Sequence, residues 1–240
     1  MQQRGLFDEI GQVQASSVDV QTSKASAGKL LSTELSEREL SEHKQPEIIH
    51  FEDLPNAHLA YFPRFLSVGE ADEYLQYCIA NLQWREDVIK MYGKTMKVPR
   101  LTALNGEPEA YYRYSGLDIH PKPWTETLLT LRDMCQQATQ CQFNSVLANL
   151  YRTGQDSMGF HADDEAELGE QPVIAAISLG QVRTLKFRHQ NRQDSLDLNL
   201  AHGSLLVMAG DTQRYWQHGI SKTKKPLSER VSLTFRRIYR

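Results

Sequence analysis

Cysteine is scarce in this 240-residue chain. Cys78, Cys135 and Cys141 are the three present, and their spacing suits neither a zinc site nor a disulfide framework. A reducing, intracellular compartment is therefore expected, the cytoplasm of a bacterial-type cell or the nucleus of a eukaryotic one. Long apolar runs are missing too, which removes the membrane as a partner. The start, Met1-Gln-Gln-Arg-Gly, has no signal-peptide pattern. Excess positive charge is also absent. The net charge is −3, so bulk charge gives no argument for nucleic-acid binding. The charge is uneven, however. Residues 1–50 carry five Lys/Arg against eight Asp/Glu, which leaves 22 of each in residues 51–240. Within that balanced part, residues 213–240 hold eight basic residues and Glu229 alone on the acidic side. A local basic surface of this kind is what phosphate contact needs.

Aromatic residues are few before residue 48, where Ser, Gln, Glu and Lys dominate. Residues 1–47 are expected to form a disordered or weakly ordered arm, with a short helix from Gly28 to Leu40. One domain is expected over 48–240, and 40% hydrophobic with 24% charged residues points to a soluble globular protein; a monomer is expected. Ser67-Val-Gly-Glu70 has the form of a capping box, and Ala71, Tyr74, Leu75, Cys78, Ile79 and Leu82 follow at helical spacing. A second helix is expected after Pro121-Lys-Pro123, with Trp124, Leu128, Leu131 and Cys135 on one side. From Phe143 onward the pattern becomes short strands: 145–151, 173–179, 182–189, 195–199, 204–209, 213–219 and 230–239. Gly180, Gly203 and Gly210 mark turns. Many short strands with regular turn signals point to a barrel or a double-sheet jelly roll.

The chemistry gathers around His161-Ala-Asp163. Residues i and i+2 of an extended segment share a face, so one imidazole and one carboxylate reach one metal ion. A second imidazole, His218, follows 57 residues later. Two His and one carboxylate form the facial triad of non-haem Fe(II) oxygenases, which leaves positions open for co-substrate and O₂. The last strand alternates: Val231, Leu233 and Phe235 on one face, Arg230, Ser232, Thr234 and Arg236 on the other. Two guanidiniums on one face suit a small dicarboxylate. Six residues of ideal strand cover about 20 Å, though, so both can grip it only if the side chains lean inward or the strand bends.

Taken together, Asn149-x-Tyr151, His161-x-Asp163-Asp164-Glu165, His218 and Arg230-x₅-Arg236 resemble the AlkB family of Fe(II)- and 2-oxoglutarate-dependent nucleic-acid demethylases. The resemblance runs from about residue 50 to the C-terminus. It implies a mainly β fold, a double-stranded β-helix core with flanking N-terminal helices and a nucleotide-recognition lid over about 86–118. It implies Fe(II) on His161, Asp163 and His218, which would then be the catalytic set. It implies 2-oxoglutarate on Arg230 and Arg236, with Asn149, Tyr151 and Thr234 adding hydrogen bonds. Ser232 departs from the Asn found in relatives. Substrate contacts are implied for Asp164, whose carboxylate would favour a cationic methylated base, for Arg100 in Val98-Pro99-Arg100, and for the Tyr112 and Tyr114 pair, on which a flipped base would stack. Tyr92, at the tip of an expected hairpin, would fill the gap in the stack.

The implied activity is oxidative demethylation of N-alkylated bases of the 1-methyladenine and 3-methylcytosine type, in DNA of one or two strands or in RNA. An oxygenase acting on protein or lipid stays open at this point, as does a non-catalytic metal module that binds nucleic acid. The basic run Arg183, Lys186, Arg188, His189 and Arg192 is expected either as a solvated edge or as a phosphate-binding rim. Lys222, Lys224 and Lys225 form a second such patch. Gln3-Arg-Gly-Leu6-Phe7 is similar to short peptides that dock on a bacterial sliding clamp.

Overall fold

The computed structural model describes residues 47–239 apart from 92–93 and 115–116. The expected arm, its Gly28–Leu40 helix, the Gln3–Phe7 stretch and Tyr92 thus lie outside the described residues. Two antiparallel sheets face each other. The larger is built from β1 (Ile49–His50), β2 (His58–Phe62), β5 (Leu101–Gly106), β8 (Ser145–Tyr151), β10 (Ile174–Gly180), β13 (Ser204–Ala209) and β15 (Arg230–Arg236), in the order β1-β2-β13-β10-β15-β8-β5. The smaller contains β9 (Met158–His161), β11 (Arg183–His189), β12 (Ser195–Leu200) and β14 (Trp216–Ile220), in the order β12-β11-β14-β9. This is the double-stranded β-helix expected from the resemblance. Two separate hairpins fall within or beside the stretch expected as the lid: β3 (Val88–Met91) with β4 (Lys94–Lys97), and β6 (Tyr112–Tyr114) with β7 (Leu117–Ile119).

Two helices cover the outer face of the large sheet. Helix α1 spans Val68–Asn81. Its capping box forms as the sequence dictates: Glu70 N donates to Ser67 Oγ at 3.3 Å, and Ser67 N donates to Glu70 Oε2 at 2.9 Å. Helix α2 spans Glu126–Thr139 behind the N-cap Thr125. Its buried stripe, Leu128, Leu131 and Cys135, joins Ala71 and Cys78 of α1 in one core. Each fully buried Leu contributes about 2 kcal/mol of apolar transfer. No described helix is long and apolar enough to cross a membrane.

The strand alternation then decides what faces the space between the sheets. On β15, Val231, Leu233 and Phe235 enter the helix-side core. Arg230, Ser232, Thr234 and Arg236 therefore point the other way, into the interior. On β8, Val146, Ala148 and Leu150 face the helices, while Asn149 and Tyr151 face inward. A second apolar cluster, including Leu185, Phe187, Leu206 and Trp216, closes the space between the sheets at its dry end.

Beyond shifts of a residue, the stretch after Phe143 departs from the sequence-based expectation at three places, and β1, β2 and β5 before it are not among the expected strands. The segment 213–219 opens with a turn of helix, α3 (Thr212–Tyr215), before β14 begins at Trp216. Thr212 Oγ1 accepts from His58 N at 2.8 Å, a tertiary contact that no local pattern reveals. Strand β15 ends at Arg236 rather than 239. Strand β9 was not anticipated, because Met158-Gly-Phe160-His161 has no clean alternation and Phe160 is exposed.

Gly180 turns the chain from β10 to β11 with φ +86°, and a Cβ there would come 2.5 Å from Glu229 O. Gly180→Ala should cost about 2 kcal/mol of stability from backbone strain alone, more with the clash. Urea unfolding followed by circular dichroism checks this.

Candidate active site

Strand pairing places His161 directly opposite His218, on β9 and β14. Their ring centroids are 4.4 Å apart, inclined by 55°. Asp163 lies just beyond the end of β9, with Oδ1 3.6 Å from His161 Nε2. One ligand atom from each of the three lies within 4.8 Å of the others. Asp163 and His218 are buried and His161 is half-buried. The cluster thus has a dry base and an open side.

Hydrogen bonds and charge leave these groups able to hold a metal ion. His161 Nδ1 is 3.0 Å from Gly159 O, so it is the donor of that bond and Nε2 is the nitrogen turned toward Asp163. Burial, followed by the nearby His161 and Arg236 charges, pushes His218 down to about 4 against the pull of Asp163, so this imidazole is neutral at pH 7. Burial pushes the Asp163 carboxyl up, but the Arg236 charge, with the two imidazoles and the Arg236 hydrogen bond, outweighs it and holds Asp163 below the usual carboxylate range. Arg236 Nη2 donates to Asp163 Oδ1 at 2.9 Å. Asp163 Oδ2 is buried and has no hydrogen-bond partner. A buried, ionised oxygen left unmatched beside two imidazoles fits a hard or borderline divalent cation.

The same pocket is lined by Asn149, Tyr151, Arg230, Ser232, Thr234 and Arg236. The tension over strand length is resolved by the side chains, because both arginines are buried and both reach the one pocket. They mark its two ends. Arg236 is tied to the metal-type cluster. Arg230, 2% exposed, donates from Nη2 to Ser178 Oγ at 2.9 Å, while its Nε and Nη1 have no partner. No carboxylate lies within ion-pair distance of Arg230 among the described residues. A guanidinium buried without a counter-ion is costly, and a pocket that holds one is built for an anion. Asn149 Oδ1 accepts from Arg100 Nε at 2.7 Å, which turns the amide Nδ2 donors away from Arg100.

Other expected residues are placed differently. Arg100 is half-buried against Asn149 and Ser157 O. Asp164 is exposed and does not line the pocket. Tyr112 and Tyr114 form the strand β6, but their side chains lie outside what the structure describes. The basic run does not act as one edge. Arg183 and His189 turn inward, Lys186 pairs with Asp197 at 2.6 Å, and Arg188 lies 4.0 Å over the Phe160 ring. Lys222, Lys224 and Lys225 are exposed. Two contributors were missed. Ser178 binds Arg230, and buried Gln213 accepts from Asp163 N through Oε1 at 2.9 Å. Neither carries a sequence signal, since a Ser in a strand and a Gln in a polar run look ordinary.

Residues 58–236 match the model of the 2OG-Fe(II) oxygenase superfamily. The chain is 39% identical over 181 residues to the DNA oxidative demethylase ALKBH2 of Bos taurus, which covers 71% of this chain and 65% of that protein. It is 37% identical over 188 residues to the alpha-ketoglutarate-dependent dioxygenase alkB homolog 3 of Homo sapiens, covering 74% of this chain and 65% of that one. The chain thus spans just under two thirds of the length of these two relatives. The solved structure of OsALKBH1 superposes with a TM-score of 0.55 over 80% of this chain and 100% of that chain, at 15% identity, a likeness of fold.

Asp163→Ala should lose Mn(II) binding, read by electron paramagnetic resonance. Gln213→Ala should weaken it about tenfold, the usual effect of removing a group that orients a ligand. Unchanged Mn(II) affinity in Asp163→Ala would exclude this cluster as the metal site.

Proposed function

Since the chain belongs to the 2OG-Fe(II) oxygenase superfamily, we propose that it oxidatively removes N-alkyl groups from bases of the 1-methyladenine and 3-methylcytosine type in DNA, and in RNA where the lesion is single-stranded. The observation that carries the reading is one pocket holding both a buried His161-Asp163-His218 cluster and a buried Arg230 with two unpartnered donors. The names of the relatives, a DNA oxidative demethylase and a dioxygenase, support the choice of substrate.

Iron(II) on His161, Asp163 and His218, together with 2-oxoglutarate, supplies an O₂-driven hydroxylation of a C–H bond. Across the reaction, O₂ gives one oxygen atom to the N-methyl carbon and one to the succinate formed as the keto acid loses CO₂. The hydroxymethyl group then leaves as formaldehyde, its O–H proton passes to solvent, and the ring nitrogen of the cationic base recovers its lone pair. The protein's share is placement. Arg230 binds the carboxylate at the end away from the cluster, with Tyr151 and Thr234 beside it. Arg236 neutralises Asp163 and the near end. Asn149 offers amide donors, oriented by Arg100. The apolar cluster between the sheets keeps that end of the pocket dry.

On the substrate side, Tyr112 and Tyr114 stack on a base flipped out of the helix and Tyr92 fills the gap it leaves, with Arg100 and the exposed Asp164 at the mouth. A carboxylate there favours 1-methyladenine or 3-methylcytosine, both cations, over the neutral normal bases. The enzyme works as a monomer in the compartment that holds the nucleic acid, cytoplasm or nucleus. Gln3-Arg-Gly-Leu6-Phe7 tethers it to a sliding clamp.

The test is release of formaldehyde and succinate from an oligonucleotide carrying 3-methylcytosine, run in parallel on DNA and RNA and in single and double strands. Wild type should release both in equal amounts, and His161→Ala should release neither. Formaldehyde release undiminished in His161→Ala would sink the assignment. For the tether, a Leu6→Ala/Phe7→Ala variant should lose binding to purified clamp in a pull-down, and retained binding would end that idea.

A further inference from the structure

Arg183 opens β11 and looks, in sequence, like the first member of an exposed basic run. It is instead 5% exposed, on the same face of β11 as Leu185 and Phe187. Its guanidinium donates to three carbonyl oxygens: Asp156 O at 2.9 Å, Ser221 O at 2.9 Å and Thr153 O at 3.3 Å. These acceptors lie on two loops, one leaving β8 and one leaving β14. The Asp156 carboxylate is itself taken by Arg152, at 2.8 and 3.0 Å. Arg183 therefore keeps its charge unmatched by any carboxylate within ion-pair distance among the described residues.

That charge faces the pocket through one ring. The Arg183 guanidinium carbon lies 5.5 Å from the centre of the Tyr151 ring, and that of Arg230 lies 5.1 Å from the same ring. Both contacts fall within cation–π range. Tyr151 and Arg230 line the pocket and Arg183 does not. Two buried guanidiniums thus bear on the Tyr151 end of the pocket, and the one carboxylate coupled to Arg183, that of Asp156, is already held by Arg152.

We infer that Arg183 is a positioning residue for the remote carboxylate of a dicarboxylic 2-oxo acid. It fixes the Tyr151 ring against Arg230 and adds a second positive charge behind it. The pocket thereby selects a co-substrate with a carboxylate at each end over one with a single carboxylate. This rests on the reading that the pocket takes 2-oxoglutarate.

The experiment is calorimetric titration of the full-length chain loaded with Mn(II), so that no turnover occurs. The ligands are 2-oxoglutarate and 2-oxovalerate, which lacks the second carboxylate. Wild type should prefer the dicarboxylate. In Arg183→Gln that preference should fall about tenfold, the scale of losing one charge interaction in a partly screened interior. Arg183→Lys keeps the charge but cannot span the three carbonyls, and should lose about threefold. A purely structural role would weaken both ligands equally. An unchanged preference in these variants overturns the role of Arg183. Where the Gln variant does not fold, the Lys variant alone decides. A wild type that binds neither acid overturns the co-substrate reading instead.

Discussion

The contact between Arg236 and Asp163, 2.9 Å long and almost wholly buried, is the constraint on which the interior depends. It joins the two halves of the site. Asp163 comes from the segment after β9 in the small sheet, and Arg236 from the last residue of β15 in the large one. Each would be costly alone in the interior, and removing one partner of such a pair leaves an uncompensated buried charge. The pair holds Asp163 ionised, as a metal ligand must be. It also commits the near end of the pocket to the cluster, so that Arg230 is left to define the far end. Gln213 fixes the backbone of Asp163 from a third direction, so the carboxylate is anchored at both main chain and side chain.

This arrangement was legible in the sequence wherever a period of two carried it. Strand β15 alternates so cleanly that both its helix-side core and its pocket face could be read from seven residues, and the pairing of β8 with β15 follows the same rule. His161 and Asp163 were legible because their spacing alone places both on one side. The same rule, applied to Arg183-Thr-Leu185-Lys-Phe187, would have put Arg183 on the apolar face. Its basic neighbours mask that signal, because composition there outweighs periodicity. Contacts made across the fold left no such trace. Gln213 meets Asp163 fifty residues away, Ser178 meets Arg230 from the neighbouring strand, and Thr212 caps β2 from a helical turn inside an apparent strand. Strand β9 was hidden for a different reason. It is held by pairing with β14, where Gly219 lets the two backbones close to a distance at which a Cβ would sit 2.9 Å from Met158 O.

The charge balance of the pocket argues for what fills it. The pocket lining brings one anion, Asp163, against two cations, Arg230 and Arg236, while Arg183 stands behind with Asp156 and Arg152 beside it. An anion by itself would answer Arg230 but leave Asp163 Oδ2 unmatched. A cation by itself would satisfy Asp163 and add to the positive excess. A divalent cation taken up with a dicarboxylate dianion changes the net charge by nothing, and it gives both the lone carboxylate oxygen and the lone guanidinium donors a partner. The two are therefore expected to bind with positive coupling, each lowering the cost that the other would meet alone. That coupling follows from groups already buried and fixed by the two sheets, and it needs no movement of the backbone.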